Sequence, residues 1–287
     1  MKISEIINNP SKPSLSFEVF PPKTDSAFET VKTATEKIAA LMPSFMSVTY
    51  GAGGGTSAYT VSIASGILKN TGVTPLAHLT CVKATKESVD EKLEQFRQNG
   101  IENILALRGD LPSDGEGLVD FEHASQLAEY IRQKGDFCIG GACYPEGHPE
   151  SASQKEDIAN LRIKQDAGCS FLTTQMFFDN NIFYNFLFKV REAGITIPII
   201  PGIMPVTNGS SILRTCKLSG TYLPGRFRQI VDHYGSNPNA MKQAGIAYAT
   251  EQIIDLFANG IHAVHVYSMN KPDVAEKIQS NLSEILH

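Results

Sequence analysis

The sequence predicts an α/β protein, a (β/α)8 barrel formed as a single domain by residues 1–287. Three observations carry this. Eight short β-rich runs recur along the chain. Most are nearly continuous apolar stretches rather than strict alternations, the pattern of parallel strands covered on both faces. The stretches between them carry apolar residues at helical spacing, and the chain exceeds the ~250 residues that eight strand–helix units typically need. A doubly wound open sheet is the alternative, weakened by the absence of GxGxxG after the first strand.

In chain order the β-rich runs are LSFEVF (15–20), FMSVTY (45–50), PLAHLTC (75–81), NILALRGD (103–110), FCIGGACY (137–144), FLTTQMFFD (171–179), IPIIPGIM (197–204) and AVHVYSM (263–269). Among the spacers, residues 25–42 place Phe28, Val31, Ala34, Ile38 and Leu41 on one stripe. Residues 85–99 open on Thr85 as N-cap and close at Asn99-Gly100. The segment 151–168 starts at Ser151 or Ser153 and stops at Gly168. A long helix is expected over 238–259, and another over 272–285 with Pro272 at its first position. No linker rich in Pro, Gly or Ser divides the chain. The span 207–237 is irregular and has room for an extra helix and a mobile lid.

Composition excludes several classes. Apolar residues make up 42% and charged residues 19%, an ordinary globular balance. With 25 Lys+Arg against 30 Asp+Glu the net charge is −5, which argues against general nucleic-acid binding. The N-terminus lacks an apolar signal region and no run is long enough to span a bilayer, so a cytoplasmic protein without membrane association is expected. The five cysteines, 81, 138, 143, 169 and 216, include no CxxC pair, which disfavours a disulfide framework or a structural zinc site.

A barrel of this kind carries its active site at the C-terminal ends of the strands. Polar residues gather there: Glu18, Thr49 and Tyr50, His78 and Thr80, Arg108 to Asp110, Tyr144, Glu146 and His148, Thr173 to Gln175, Tyr267 and Asn270. Glu18 lies inside an apolar run, where desolvation would raise its pKa and suit a general acid; a satisfied structural carboxylate is the plainer reading. Arg108 has the planar fork for a phosphate or carboxylate, and Gly109 permits close backbone approach; an Arg108–Asp110 turn pair is the alternative. GAGGGT (51–56) suits a loop under a ligand, but it lacks the Lys-Ser/Thr of a nucleotide triphosphate loop. Asp157, Asn160 and Lys164 fall on one helical face that either holds a ribose and a diphosphate or is simply solvated. His78 and His148 lack metal-ligand spacing, so no metal is expected. His262 and His265 read as packing or surface, and Phe177, Phe178, Phe183, Phe186 and Phe188 as core and interface. No GxSxG is present, which disfavours a serine hydrolase of that type.

The motifs FEVFPPKT (17–24), SVTYGAGG (47–54), HLTC (78–81), ALRGDLP (106–112), YPEGHPE (144–150), TQMFFD (174–179) and PGIMPVTN (201–208) together resemble the methylenetetrahydrofolate reductase family, in the same order and across essentially the whole chain. The resemblance implies a (β/α)8 barrel with noncovalent FAD that reduces 5,10-methylenetetrahydrofolate to 5-methyltetrahydrofolate, with NADH or NADPH as donor. It further implies Glu18 as general acid and Asp110 as the carboxylate that tunes the flavin and meets the pterin. Flavin contacts carry over to Thr49, His78, Arg108, Gly109, Asp110, Ala124, Tyr144, His148, Asp157, Asn160 and Lys164, and the pterin amide to Gln175. A homo-oligomer is also implied. Some family members take electrons from a partner subunit.

Three positions depart from the family pattern. Ser211 stands where a polar residue, often Gln, helps hold folate. Lys271 replaces an Arg, keeping a charge for the substrate carboxylate but losing the bidentate fork. Thr215 stands where an aromatic can stack on the nicotinamide nucleotide. Two other classes compete: a flavin-free barrel lyase or aldolase using Glu18 and Lys164, and a non-catalytic subunit of a complex. The second would be expected to lose Glu18, Asp110 or Gln175, and this chain keeps all three.

Overall fold

The computed structural model describes residues 1–9, 12–22, 24–50, 57–111 and 117–286. The GAGGGT loop falls outside the described residues. Nine strand segments form one sheet: β1 (Ser14–Val19), β2 (Met46–Val48), β3 (Pro75–Thr80), β4 (Asn103–Leu107), β5 (Cys138–Cys143), β6 (Phe171–Thr174), β7 (Ile199–Ile200), β8 (Gly202–Ile203) and β9 (Ala263–Tyr267). Every pairing is parallel, in the order β7-β6-β5-β4-β3-β2-β1-β9-β8. The seventh expected strand is thus two segments. Pro201 has no N–H for the ladder and interrupts the stave. Its first half pairs with β6 and its second with β9, so the ring closes through Pro201, whose carbonyl accepts the N–H of His265 at 2.9 Å. Eight staves make the barrel.

The helices are α1 (Ile3–Ile7), α2 (Phe28–Ala39), α3 (Ser57–Thr71), α4 (Lys86–Gln98), α5 (Ala124–Lys134), α6 (Gln154–Asp166), α7 (Asn180–Glu192), α8 (Gly209–Ser219), α9 (Gly225–Tyr234), α10 (Pro238–Ala258), α11 (Pro272–Asn281) and α12 (Ser283–Leu286). A 3-10 turn at Asp25–Ala27 leads into α2. Thr85 caps α4 reciprocally, its hydroxyl accepting from Ser88 N while Ser88 Oγ accepts from Thr85 N. Ser153, rather than Ser151, caps α6. Pro272 opens α11 as expected, but the 272–285 helix is broken at Leu282. The irregular span 207–237 holds two helices, α8 and α9, seated by a core of their own that includes Phe178, Val206, Ile212, Phe227 and Met241.

Strand alternation sorts side chains into two sets. Leu15, Phe17, Val19, Met46, Val48, Ala77 and Leu79 join the large core beneath the helices. The other parity faces the barrel axis. At the N-terminal end Phe45, Leu76, Leu105, Cys138, Phe171, Ile200 and Ala263 form a plug with Ile3 and Ile7 of α1. The next inward position holds Ser16, Ser47, His78 and His265, all buried. The inward position above it holds Glu18, Thr49, Gln175 and Tyr267, at the C-terminal mouth. The alternation therefore carries the barrel interior from apolar to polar toward that mouth. All five cysteines are free and buried. Phe177, Phe178, Phe183 and Phe186 are core residues, but Phe188 lies on the outer face of α7, 63% exposed.

Candidate active site

Glu18 is held on β1 with its side chain 20% exposed. Its Oε2 accepts a hydrogen bond from Ser47 Oγ at 3.0 Å, and lies 3.5 Å from His78 Nε2 and 3.8 Å from His265 Nε2. The parallel register puts Ser47 of β2 opposite Glu18 on one side and Tyr267 of β9 on the other. Burial alone would raise the Glu18 pKa, as the sequence suggests. The favourable interactions with His265 and the Ser47 hydroxyl outweigh it, so Glu18 sits below the ordinary carboxylate value. This corrects the expected direction. The polar neighbours come from β2, β3 and β9 and are invisible in the local run SFEVF.

His265, which the sequence assigns to packing or surface, is 2% exposed inside the barrel. Its ring stacks on Phe45 at 5.4 Å, meets Tyr267 edge-on, and bonds Ser16 Oγ through Nδ1 and Ser47 Oγ through Nε2. His265 lies two residues before Tyr267, so both fall on the same face of the strand. The Tyr267 hydroxyl donates to Thr174 O across the seam, where a Cβ on Gly202 would collide with both groups. His78 is driven down to about 4 by burial, and its Nε2 makes no hydrogen bond among the described residues.

The residues expected to contact a flavin occupy one arc of the mouth. Thr49 follows β2, His78 lies on β3, Arg108 to Asp110 follow β4, and Tyr144 and His148 follow β5. Ala124 is the first residue of α5. Gly109 has φ +85°, and a Cβ there would press on Val82 and Thr80. Arg108 does not pair with Asp110; its fork grips Glu150 at 2.5 and 2.8 Å. Tyr144 and His148 meet edge to face at 4.6 Å. On α6, Asp157 is buried and accepts from His148 N and Ser151 Oγ, while Lys164 reaches inward to Ala142 O at 2.6 Å. Asn160 shares their helical side but is exposed, so only two of the three turn toward β5 and the loop after it. Asp110 is exposed at the rim.

The opposite arc holds the residues expected to meet the substrate. Gln175 follows β6, and its Oε1 accepts from Met176 N at 2.9 Å, which leaves its NH2 as donor. Lys271, the N-cap of α11, donates to the Thr207 hydroxyl and so ties the loop after β9 to the loop after β8. Ser211 lies exposed in the first turn of α8, and its carbonyl accepts the hydroxyl of Thr215. Glu146 Oε2 accepts from Tyr222 N, joining the loop after β5 to the α8–α9 connection. Burial raises the Glu146 carboxyl. Among the described residues no group of three His, Cys, Asp or Glu side chains is arranged to hold a metal ion.

The family model described as methylenetetrahydrofolate reductase matches residues 2–283. This chain belongs to that family. It is 36% identical over 265 residues to the 5,10-methylenetetrahydrofolate reductase of Escherichia coli K12, covering 92% of this chain and 89% of that protein. It is 38% identical to methylenetetrahydrofolate reductase (NADH) 1 of Zea mays over 95% of this chain and 48% of that protein. The chain thus spans about half the length of the plant relatives it matches. Among solved structures, a Clostridium thermocellum protein described as binding two copies of 5-methyl-5,6,7,8-tetrahydrofolic acid superposes with TM-score 0.69 at 16% identity, covering 99% of both chains. A 2,3-dimethylmalate lyase superposes with TM-score 0.54 at 12% identity, over 98% of this chain and 85% of that one. At these identities both share the fold. No helix among the described residues is long and apolar enough to cross a membrane.

Proposed function

We propose that this protein reduces 5,10-methylenetetrahydrofolate to 5-methyltetrahydrofolate, using noncovalent FAD and electrons from NADH or NADPH. The observation that carries the reading is the placement of one carboxyl, Glu18, between two arcs of the barrel mouth. One arc suits a flavin dinucleotide and the other a pterin with its acidic tail. Family membership supports it, as do the named activities of the relatives. The residues present fit the flavin. His78 offers a buried ring nitrogen without a hydrogen-bond partner among the described residues, and Gly109 takes φ +85° at the rim, where a Cβ would crowd Val82 and Thr80. Arg108 and Lys164 supply the cations a diphosphate requires.

Bound there, FAD supplies the group that takes hydride from the nicotinamide and gives it to the folate methylene carbon. The protein does the rest. Glu18 protonates the departing nitrogen of the methylene bridge, which opens the bridge toward the iminium that accepts hydride. Gln175 offers its amide to the pterin edge. Lys271 meets the tail carboxylate as a point charge, and Ser211 lies beside that path. Asp110 places a negative charge at the flavin rim. We further propose that the chain acts as a homo-oligomer in the cytoplasm. A lyase using Lys164 is disfavoured, because Lys164 projects from α6 against β5, across the barrel from β1, which carries Glu18.

The visible spectrum of the purified protein tests this. Yellow protein that bleaches with NADH and recolours with methylenetetrahydrofolate is the expected result. Colour that resists both nicotinamides but returns with folate after chemical reduction transfers the donor role to a partner subunit. Protein that takes up no FAD overturns the reading. Glu18→Gln is expected to slow folate-dependent reoxidation by about a hundredfold or more, the usual scale for a lost general acid, while NADH still bleaches the flavin.

A further inference from the structure

We propose that His265 is the proton store for Glu18: in the resting site the proton lies on His265, and Ser47 passes it to Glu18 when the substrate nitrogen draws on it. The proposal rests on the reading of Glu18 as the acid. It follows from which groups can donate. Ser16 Oγ has one proton, and the Val264 carbonyl, 3.0 Å away, can only accept it. With that bond made, the 2.7 Å contact between Ser16 Oγ and His265 Nδ1 is donated by the ring. Ser47 Oγ likewise has one proton, directed at the Glu18 carboxylate. Its 2.9 Å contact with His265 Nε2 must then also be donated by the ring. In this arrangement both ring nitrogens carry hydrogen, and His265 is an imidazolium whose counter-ion is Glu18, relayed by one hydroxyl.

The same groups satisfy a second arrangement. The His265 Nε2–H bond breaks as an O–H bond forms on Ser47, and the former Ser47 O–H breaks as an O–H forms on Glu18 Oε2. His265 is left neutral with its Nδ1–H still on Ser16, and Ser47 now donates to Nε2. No hydrogen bond is lost. Glu18 is then the acid, and its O–H breaks as the N–H forms on the substrate. Solvent protons refill the chain through the partly exposed Glu18 carboxyl. This resolves a conflict within the site: the surroundings that hold the Glu18 pKa down would otherwise leave it unprotonated when it must donate. The other titratable groups facing the pair are His78, kept neutral by burial, and Tyr267, raised well above its ordinary value; Cys143 and Tyr144 lie behind Tyr267. None of them replaces the stored proton.

Nitrogen-15 spectra of the full-length, histidine-labelled protein at about pH 7 test where the proton lies, independently of turnover. The signals of His265 are assigned by their absence in His265→Gln or, if that variant does not fold, by their displacement in Ser47→Ala. Wild type should show both ring nitrogens of His265 protonated. In Glu18→Gln the Nε2 should be bare. A bare Nε2 in wild type, or a doubly protonated ring in both proteins, overturns the proposal. The pH profile of folate-dependent flavin reoxidation gives a second reading. Removing one of two sites for a shared proton moves the pH at which that proton is lost downward, so the alkaline limb in His265→Gln and Ser47→Ala should move to lower pH by about a unit. Profiles that coincide with wild type overturn the relay while leaving Glu18 as the acid, whereas a Glu18→Gln protein that reoxidises at the wild-type rate overturns the acid assignment itself.

Discussion

Asp110 and Arg108 flank a glycine at the rim, yet the structure gives them unlike settings. Arg108 is half-buried and bidentate with Glu150, whereas Asp110 is exposed. An exposed carboxylate next to a flavin edge acts through its charge rather than through a fixed hydrogen bond. That charge opposes the extra negative charge of the anionic reduced flavin and so lowers the reduction potential. On the proposed flavin reading, Asp110→Asn is expected to raise the midpoint potential of the FAD, read by redox titration against dyes of known potential; an unchanged potential removes Asp110 from that role. Residues of this kind are legible in a sequence because they sit within motifs at strand ends. Ser47 and His265 were not. Each is a small or ambiguous side chain in an apolar strand, and its meaning comes only from the neighbour that the barrel register sets beside it. Glu150 was missed for a related reason: its partner, Arg108, lies 42 positions away in sequence.

Elements with local signals followed the sequence closely. Helix α4 is the clearest case. Thr85 and Ser88 exchange two hydrogen bonds at its N-terminus, and Gly100 takes φ +71° just past its end. Thr85→Ala removes the side-chain half of that exchange and leaves the Ser88 N–H without its acceptor. The expected cost is about 1 kcal/mol in urea unfolding, with no change in slope against denaturant. A loss near zero would mean that water replaces the cap. Where the sequence and structure part, a long-range cause is present. The seventh stave breaks at Pro201, whose missing N–H interrupts the ladder, and ring closure sets its two halves against different neighbours. The span 207–237 carried turn residues that read as irregular. It folds into α8 and α9 because Phe178 and Val206, from the barrel side, give Ile212, Phe227 and Val231 an apolar surface to cover.

At the scale of the whole molecule, the polar barrel interior ties stability to pH. His78 is buried on β3 and stays neutral, with its pKa near 4 in the folded protein against 6.5 for the free side chain. Between those values the unfolded chain binds a proton that the folded chain refuses, so unfolding gains as pH falls. The contribution is fully present above about pH 6.5 and is lost by about pH 4, amounting to up to roughly 3 kcal/mol. Glu18 acts in the same sense over a lower range: its pKa is below the ordinary value, so its stabilisation holds above about pH 4.5 and disappears as pH falls through the folded value. His148, half-buried and also pushed down chiefly by burial, adds a smaller slope of the same sign. Urea midpoints measured from about pH 6.5 to pH 4.5 should therefore fall steadily, beginning well above the range where carboxylates titrate. His78→Asn keeps a polar group but nothing that titrates, so its curve should run flatter than wild type between about pH 6.5 and 4.5. Parallel curves would mean that His78 takes up its proton in the folded barrel, in which case a second cation would stand 3.5 Å from Glu18 and the depressed carboxylate would have two charged partners instead of one.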